Sequence, residues 1–289
     1  MALSIKRKKY LLTSGCSYTD PNYKTPDPSI PDELRVAYTK WPEFLGLDLN
    51  LSVLNLGKSG NSNYMIYRSI LDAINKYEDK IDTVAVFWSG WDRTELFHYW
   101  NFQSLHYLAF HSDESLELED NIYPTYWVTN AGLDKWLHAF KNSLLWDPHL
   151  FIKESVNQSL ILMQSLLEIC KSRNIKCILY QGVNPLDLGL LNRFTPTITG
   201  NPHNKEFSNI QILNALKQCS SFKYLEENRN NIIGWPIFQE IGGSHFDSFR
   251  YSPGSTEHYW VSKKDHHPNV NGQRIIADHF LEKYRKIYD

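Results

Sequence analysis

Residues Thr83 to Trp88 read Thr-Val-Ala-Val-Phe-Trp, an apolar run with no polar residue on alternate positions. A strand with one face in water alternates apolar and polar side chains. A continuous run belongs in a parallel sheet covered on both faces. Parallel neighbours cannot be joined by a tight turn, so such a strand demands crossover helices. The flanking sequence supplies them. Strands are predicted at Tyr10 to Ser14, Ser52 to Leu56 and Lys176 to Tyr180. Asn231 to Phe238 holds a further short strand, which Pro236 confines to a sheet edge. Helices are predicted over Trp41 to Leu47, Ser62 to Tyr77 (apolar Met65, Ile66, Ile70 and Ile74), Phe151 to Lys171 (Val156, Leu160, Met163, Leu167 and Cys170), Ile210 to Gln218 and Asn271 to Tyr284 (Ile275, Ile276, Phe280 and Tyr284). Strands alternating with helices imply an α/β fold: a three-layer α/β/α sandwich on a mainly parallel sheet.

The alternation stops between Trp91 and Trp146. That stretch is rich in Trp, Tyr, Phe and His and has no clean period. It reads as an insertion, residues 93–150, within a single domain spanning 1–289. Part of it, Leu133 to Leu145, is expected to be helical, and its aromatic side chains suit a substrate cleft. Thr19 to Thr39, rich in Pro, Asp, Ser and Tyr, reads as a long surface loop. Leu188 to Phe207 and Gly242 to Lys264 also read as loops.

A chain of 289 residues hides about 75% of its unfolded surface. Its 30 basic and 32 acidic residues nearly cancel, which argues against a nucleic-acid partner. The cluster Lys6-Arg7-Lys8-Lys9 is a solvated lead-in to the first strand. No run approaches the ~18 apolar residues of a membrane span. No secretory h-region of about 7–15 residues follows the basic start, so a cytoplasmic location is expected, or a virion if the source is a phage. Cys16, Cys170, Cys177 and Cys219 have neither zinc spacing nor the density of a disulfide framework, and read as reduced thiols.

The chemistry-bearing residues lie near the two ends. Gly15-Cys16-Ser17 follows the first predicted strand directly, where a hydroxyl sits at the C-terminal edge of the sheet. Ligands of open α/β sheets bind at that edge. Asp265-His266-His267-Pro268-Asn269 precedes the last helix. A serine hydroxyl needs a base to take its proton and donors for the oxyanion that forms. His267 is the candidate base and Asp265 the carboxylate that orients it. Asp265, His266 and His267 lack a second cluster at ligand spacing, so neither a metal nor a cofactor is expected. Gly57-Lys58-Ser59 is not a phosphate loop, because Ser52 stands where the first glycine is required. Gly60, in the turn after the second strand, lets the backbone approach closely, and its N–H is a candidate oxyanion donor.

These blocks, in this order, resemble the SGNH, or GDSL-type, hydrolase family. Gly15-Cys16-Ser17 takes the place of the family's Gly-Asp-Ser block, Ser59-Gly60-Asn61 that of its second block, and His267-Pro268 that of its last. The resemblance implies a flavodoxin-like sandwich in which Ser17, His267 and Asp265 form a catalytic triad, with Gly60 and Asn61 at the oxyanion or substrate. Three positions depart from the pattern. Cys16 replaces an aspartate. Asp265 lies two residues before the histidine rather than three. In Trp88-Ser89-Gly90-Trp91-Asp92-Arg93, Trp91 takes the position of the family's oxyanion asparagine. Arg93 is the first candidate for a replacement donor and the Trp91 indole N–H the second.

The function so implied is a serine hydrolase that cleaves an acyl ester, with carbohydrate O-acetyl groups as one substrate class. The expected partner is a small-molecule or glycan ester, with no membrane involved; the oligomeric state stays open. The lost asparagine keeps a catalytically weak or inactive binding module in view. An acyltransferase would share the same acyl-enzyme. Activity set by a histidine base should rise with an apparent pKa of about 6–7.

Overall fold

The computed structural model describes residues 9–91, 94–95, 107–108, 148–185, 216–250, 259–262 and 264–289. Arg93, most of the 93–150 insertion including its predicted helix, the predicted loop at 188–207 and the basic residues 6–8 lie outside them. Five strands form one sheet: β1 (Tyr10–Gly15), β2 (Ser52–Asn55), β3 (Ile81–Trp88), β6 (Lys176–Gln181) and β7 (Ile232–Ile233), in the spatial order β2-β1-β3-β6-β7. Every pair is parallel, in registers such as Leu12 with Leu54, Leu12 with Val84, Val86 with Leu179 and Tyr180 with Ile233. Two short strands, β4 (Thr94–Glu95) and β5 (Tyr107–Leu108), pair antiparallel on their own. The described helices are α1 (Trp41–Leu49), α2 (Asn63–Tyr77), α3 (Pro148–Ser172), α4 (Ser220–Glu227), α5 (Phe246–Arg250) and α6 (Val270–Tyr288).

The period-two geometry of the strands divides the core into two layers. Leu12, Val84, Val86, Trp88, Cys177 and Leu179 face one way and pack with Ile66, Ile70 and Ile74 of α2 and Leu160, Met163 and Leu167 of α3. Leu11, Ala85, Phe87, Ile178 and Tyr180 face the other way and pack with Trp41 and Leu45 of α1 and Ile276, Phe280 and Leu281 of α6. Trp41 stacks on Phe280 with ring centroids 4.5 Å apart, and Phe87 meets Tyr180 edge-on at 5.3 Å. The result is the expected three-layer α/β/α sandwich on a parallel sheet. The order, with β1 between β2 and β3, is that of flavodoxin-like sheets, whose ligands bind beside the C-terminal ends of β1 and β3.

The sequence reading of Gly242 to Lys264 as loop is corrected here: α5 lies within it. A five-residue helix has no periodicity to detect. Tertiary bonds hold it: the Asp247 N–H donates to Gly182 O at 3.0 Å, and the Asp247 carboxylate accepts from Asn184 N at 3.1 Å. The last helix starts where expected. Asn269 caps it, its side-chain oxygen accepting from the N–H groups of Asn271 and Gly272 at 3.0 and 3.1 Å. Among the described residues, no helix is long and apolar enough to cross a membrane.

Candidate active site

Ser17 stands in the turn that ends β1. The turn closes through Thr19 N and Asp20 N, which donate to Cys16 O at 2.9 and 3.1 Å. It is so tight that a Cβ on Gly15 would lie 2.1 Å from Thr19 Oγ1 and 2.9 Å from Phe87 O. The turn sends adjacent residues in different directions. Cys16 enters the core, fully buried among the residues under α1 and α6, so its thiol is a packing group. Ser17 Oγ lies 2.8 Å from Nε2 of His267, 250 positions further along the chain.

The carboxylate of Asp265 completes the line. Its Oδ1 lies 2.5 Å from Nδ1 of His267 and also accepts the His267 backbone N–H at 3.0 Å. The second bond forms an Asx turn, in which an aspartate binds the N–H two residues on. The two-residue spacing, shorter than the pattern it resembles, therefore reaches the imidazole. Burial tends to raise the Asp265 pKa, but the His267 hydrogen bond and charge, with a further bond from Thr25, outweigh it. The group is held down at about 2, so it is a carboxylate at neutral pH. Tyr23 and Tyr18 frame the imidazole. Tyr23 stacks on it with centroids 4.1 Å apart, and Tyr18 meets it edge-on at 5.2 Å.

The β2 turn is fastened to the Ser17 turn. Lys58 N and Asn61 Nδ2 donate to Gly15 O at 3.1 Å each, and Asn55 Nδ2 donates to Thr19 O at 2.9 Å. Asp20, buried, accepts from both Ser59 N (2.8 Å) and Ser59 Oγ (2.7 Å). Gly60 follows with φ +83°, a left-handed conformation that favours glycine, and a Cβ there would meet open space. Among the described residues, neither the Ser17 nor the Gly60 N–H bonds a backbone acceptor. Asn61 is buried, with one of its amide protons on Gly15 O.

The Trp91 expectation needs correction. Its indole N–H donates to Gln181 Oε1 at 2.9 Å, and its ring is buried edge-on to Phe238 at 5.3 Å. The donor is engaged within the core, so Trp91 is a packing residue. Arg93, the other replacement donor, lies outside the described residues.

Sequence reasoning missed four residues at this site. Three sit in or beside the predicted surface loop: Asp20, Tyr23 and Lys40. The Lys40 ammonium is buried, with no hydrogen-bond partner among the described residues. It lies 3.5 Å from the Tyr38 ring centroid and 5.1 Å from that of Tyr23. The fourth is Gln273, fully buried on α6. It donates to Tyr18 O at 2.9 Å and accepts from Trp41 N at 2.9 Å, tying the serine turn, α1 and the last helix together. Polar side chains that close such contacts carry no periodic sequence signal, and the partners of Tyr23 and Gln273 lie more than 200 residues away.

No protein-family model matches the sequence, and no curated protein matches it. Several solved structures of esterases and lipolytic proteins are similar in arrangement. A lipolytic protein of the G-D-S-L family from Desulfitobacterium hafniense DCB-2 shares 13% identity, with 96% of this chain and 99% of that chain covered and a TM-score of 0.44. A catalytic mutant of Axe2, an acetylxylan esterase from Geobacillus stearothermophilus, shares 16%, with 95% and 93% covered and a TM-score of 0.40. The psychrotrophic esterase EstA from Pseudoalteromonas sp. shares 12%, with 96% and 98% covered and a TM-score of 0.41.

Proposed function

We propose that this protein is a serine hydrolase acting on acyl esters, with Ser17 as nucleophile, His267 as general base and Asp265 as the group that orients the imidazole. One observation carries the reading: a hydroxyl, an imidazole and a carboxylate in line, at 2.8 and 2.5 Å, on the ligand-binding edge of a parallel sheet. With the Nδ1 proton directed to Asp265, Nε2 presents its lone pair to Ser17 and takes the hydroxyl proton as Oγ attacks the acyl carbon. The anionic Asp265 stabilises the imidazolium so formed. The N–H groups of Ser17 and Gly60 are the proposed donors to the oxyanion of the tetrahedral intermediate. Its collapse breaks the acyl–oxygen bond, and His267 returns the proton to the departing alkoxide. Water then repeats the sequence on the acyl-enzyme and releases the acid.

Acetyl esters of carbohydrates are the proposed substrate class. Trp100, Trp127, Trp136 and Trp146 of the insertion are the residue type that stacks on sugar rings. Hydrolysis of 4-nitrophenyl acetate by the wild type and by Ser17→Ala tests the chemistry. The variant should lose at least about a thousand-fold in kcat, and equal rates would remove the proposal. Acetylated xylooligosaccharides set against long-chain nitrophenyl esters test the substrate class, and a preference for the long chains would overturn it.

A further inference from the structure

The triad uses one oxygen of Asp265. The other, Oδ2, accepts the Tyr23 hydroxyl at 2.8 Å. That hydroxyl is also 2.8 Å from Nδ1 of His267, and the phenol ring lies nearly flat on the imidazole, with an interplanar angle of 27°. Tyr23 thus touches the base and its carboxylate at once.

A phenol has one proton to donate and lone pairs that accept. With the proton directed to Asp265 Oδ2, the Tyr23 oxygen can only accept at Nδ1. Such an acceptor suits an imidazole protonated on Nδ1, the tautomer that leaves the Nε2 lone pair for Ser17. In the opposite tautomer the tyrosine would have to turn its proton to Nδ1 and abandon Oδ2. The arrangement favours one tautomer through both of its contacts.

Lys40 stands behind this pair. Its buried ammonium faces the Tyr23 and Tyr38 rings, and a cation over a ring face is attracted to it. Tyr38 in turn donates to Pro268 O at 2.6 Å, next to the base in sequence. The same cation therefore touches two rings, each bonded to the 265–268 segment.

We infer that Tyr23 is a positioning residue that selects the Nδ1-protonated tautomer of His267, and that Lys40 is buried to hold Tyr23 in place. The inference rests on the acyl-ester reading for its bearing on catalysis, but the tautomer can be measured without a substrate. Tyr23→Phe keeps the ring and deletes the hydroxyl. Its kcat on 4-nitrophenyl acetate should fall about ten-fold or more, as for a lost hydrogen bond to a charged group, with KM unchanged. Nitrogen NMR at a pH where His267 is neutral, with the signal assigned by its loss in His267→Gln, should show the proton on Nδ1 in the wild type and a new Nε2-protonated population in Tyr23→Phe. Asp265, the aromatic ring at position 23 and Tyr18 face the imidazole in both proteins, with Lys40 and Tyr38 behind, so only the hydroxyl changes. Lys40→Met should lower kcat about two- to five-fold, the range of a lost cation–π contact. An unchanged tautomer in Tyr23→Phe overturns the inference whatever happens to kcat, and wild-type kcat in Lys40→Met removes Lys40 from it. A shifted tautomer, found together with full ester hydrolysis by Ser17→Ala, would sustain the positioning role and reject the ester reading.

Discussion

Replacing Lys40 by methionine should make the protein more stable. The side chain is 1% exposed, and its ammonium has no hydrogen-bond partner among the described residues. Burial pushes its pKa down to about 8 from 10.5, against the upward pull of Asp20, Glu43 and Asp265. At about 1.4 kcal/mol per pH unit, that fall means the charged form costs the fold about 3 kcal/mol. Domains are stable by only about 5–15 kcal/mol, so the effect is large. The sign follows from proton binding. Below pH 8 Lys40 is protonated in both states and the full cost applies. Between pH 8 and 10.5 the folded protein releases the proton first, the unfolded chain binds more protons, and wild-type stability rises with pH. Above that range both states are neutral and the cost is gone. Methionine has a similar length and no charge. Lys40→Met should therefore be more stable by about 2–3 kcal/mol at pH 7, in keeping with hydrophobic replacement of buried charge, and its advantage should shrink by pH 10. Urea denaturation of both proteins at both pH values measures this, because other titrations cancel in the difference. A variant less stable than wild type at pH 7, or an advantage that is independent of pH, would refute the reasoning. Taken with its predicted loss of kcat, greater stability would mark Lys40 as a residue whose burial serves the site rather than the fold.

Two further substitutions probe the turns that carry the site. Gly15→Ala would drive a methyl to within 2.1 Å of Thr19 Oγ1 and 2.9 Å of the Phe87 carbonyl; a loss of about 1–3 kcal/mol in denaturant unfolding is expected, with slower labelling of Ser17 by a fluorophosphonate. Asp20→Ala removes the acceptor of Ser59 N and Ser59 Oγ and should free the Gly60 turn, lowering kcat about ten-fold; a wild-type kcat would show that this turn takes no part in the reaction.

The strands were legible because both faces of the sheet are covered. Thr83 to Trp88 showed an unbroken apolar run and proved to be the core of β3, extended only by Ile81 and Asp82. The helix ends drifted by one to four residues: Trp41 to Leu47 runs on to Leu49, and the last helix reaches Tyr288. The meeting of Ser17, His267 and Asp265, at 2.8 and 2.5 Å, was legible through turn chemistry and the order of short blocks. What stayed hidden was polar and tertiary. Thr19 to Thr39 has the composition of a solvated loop, yet Thr25 and Asp27 are buried in it, and Asp27 accepts a hydrogen bond from Ser262. A lysine beside such a stretch reads as surface, and although Tyr38 is only two residues away, its spacing does not announce that its ring and that of Tyr23 close around the ammonium. Trp91 misled in the opposite direction: its place in a block suggested a donor to substrate, while its indole N–H donates to Gln181, 90 residues on.

The distance along the chain between Ser17 and His267 also bears on biosynthesis. The hydroxyl, at the end of β1, leaves the ribosome 250 residues before the imidazole that would arm it, and α6, whose Gln273 also pins the serine turn, follows that imidazole. A chain halted anywhere in between holds a plain alcohol at that turn. Chemical competence would switch on only once His267 and the start of α6 have emerged, and fragments halted before that point would be inert toward esters without any inhibitor.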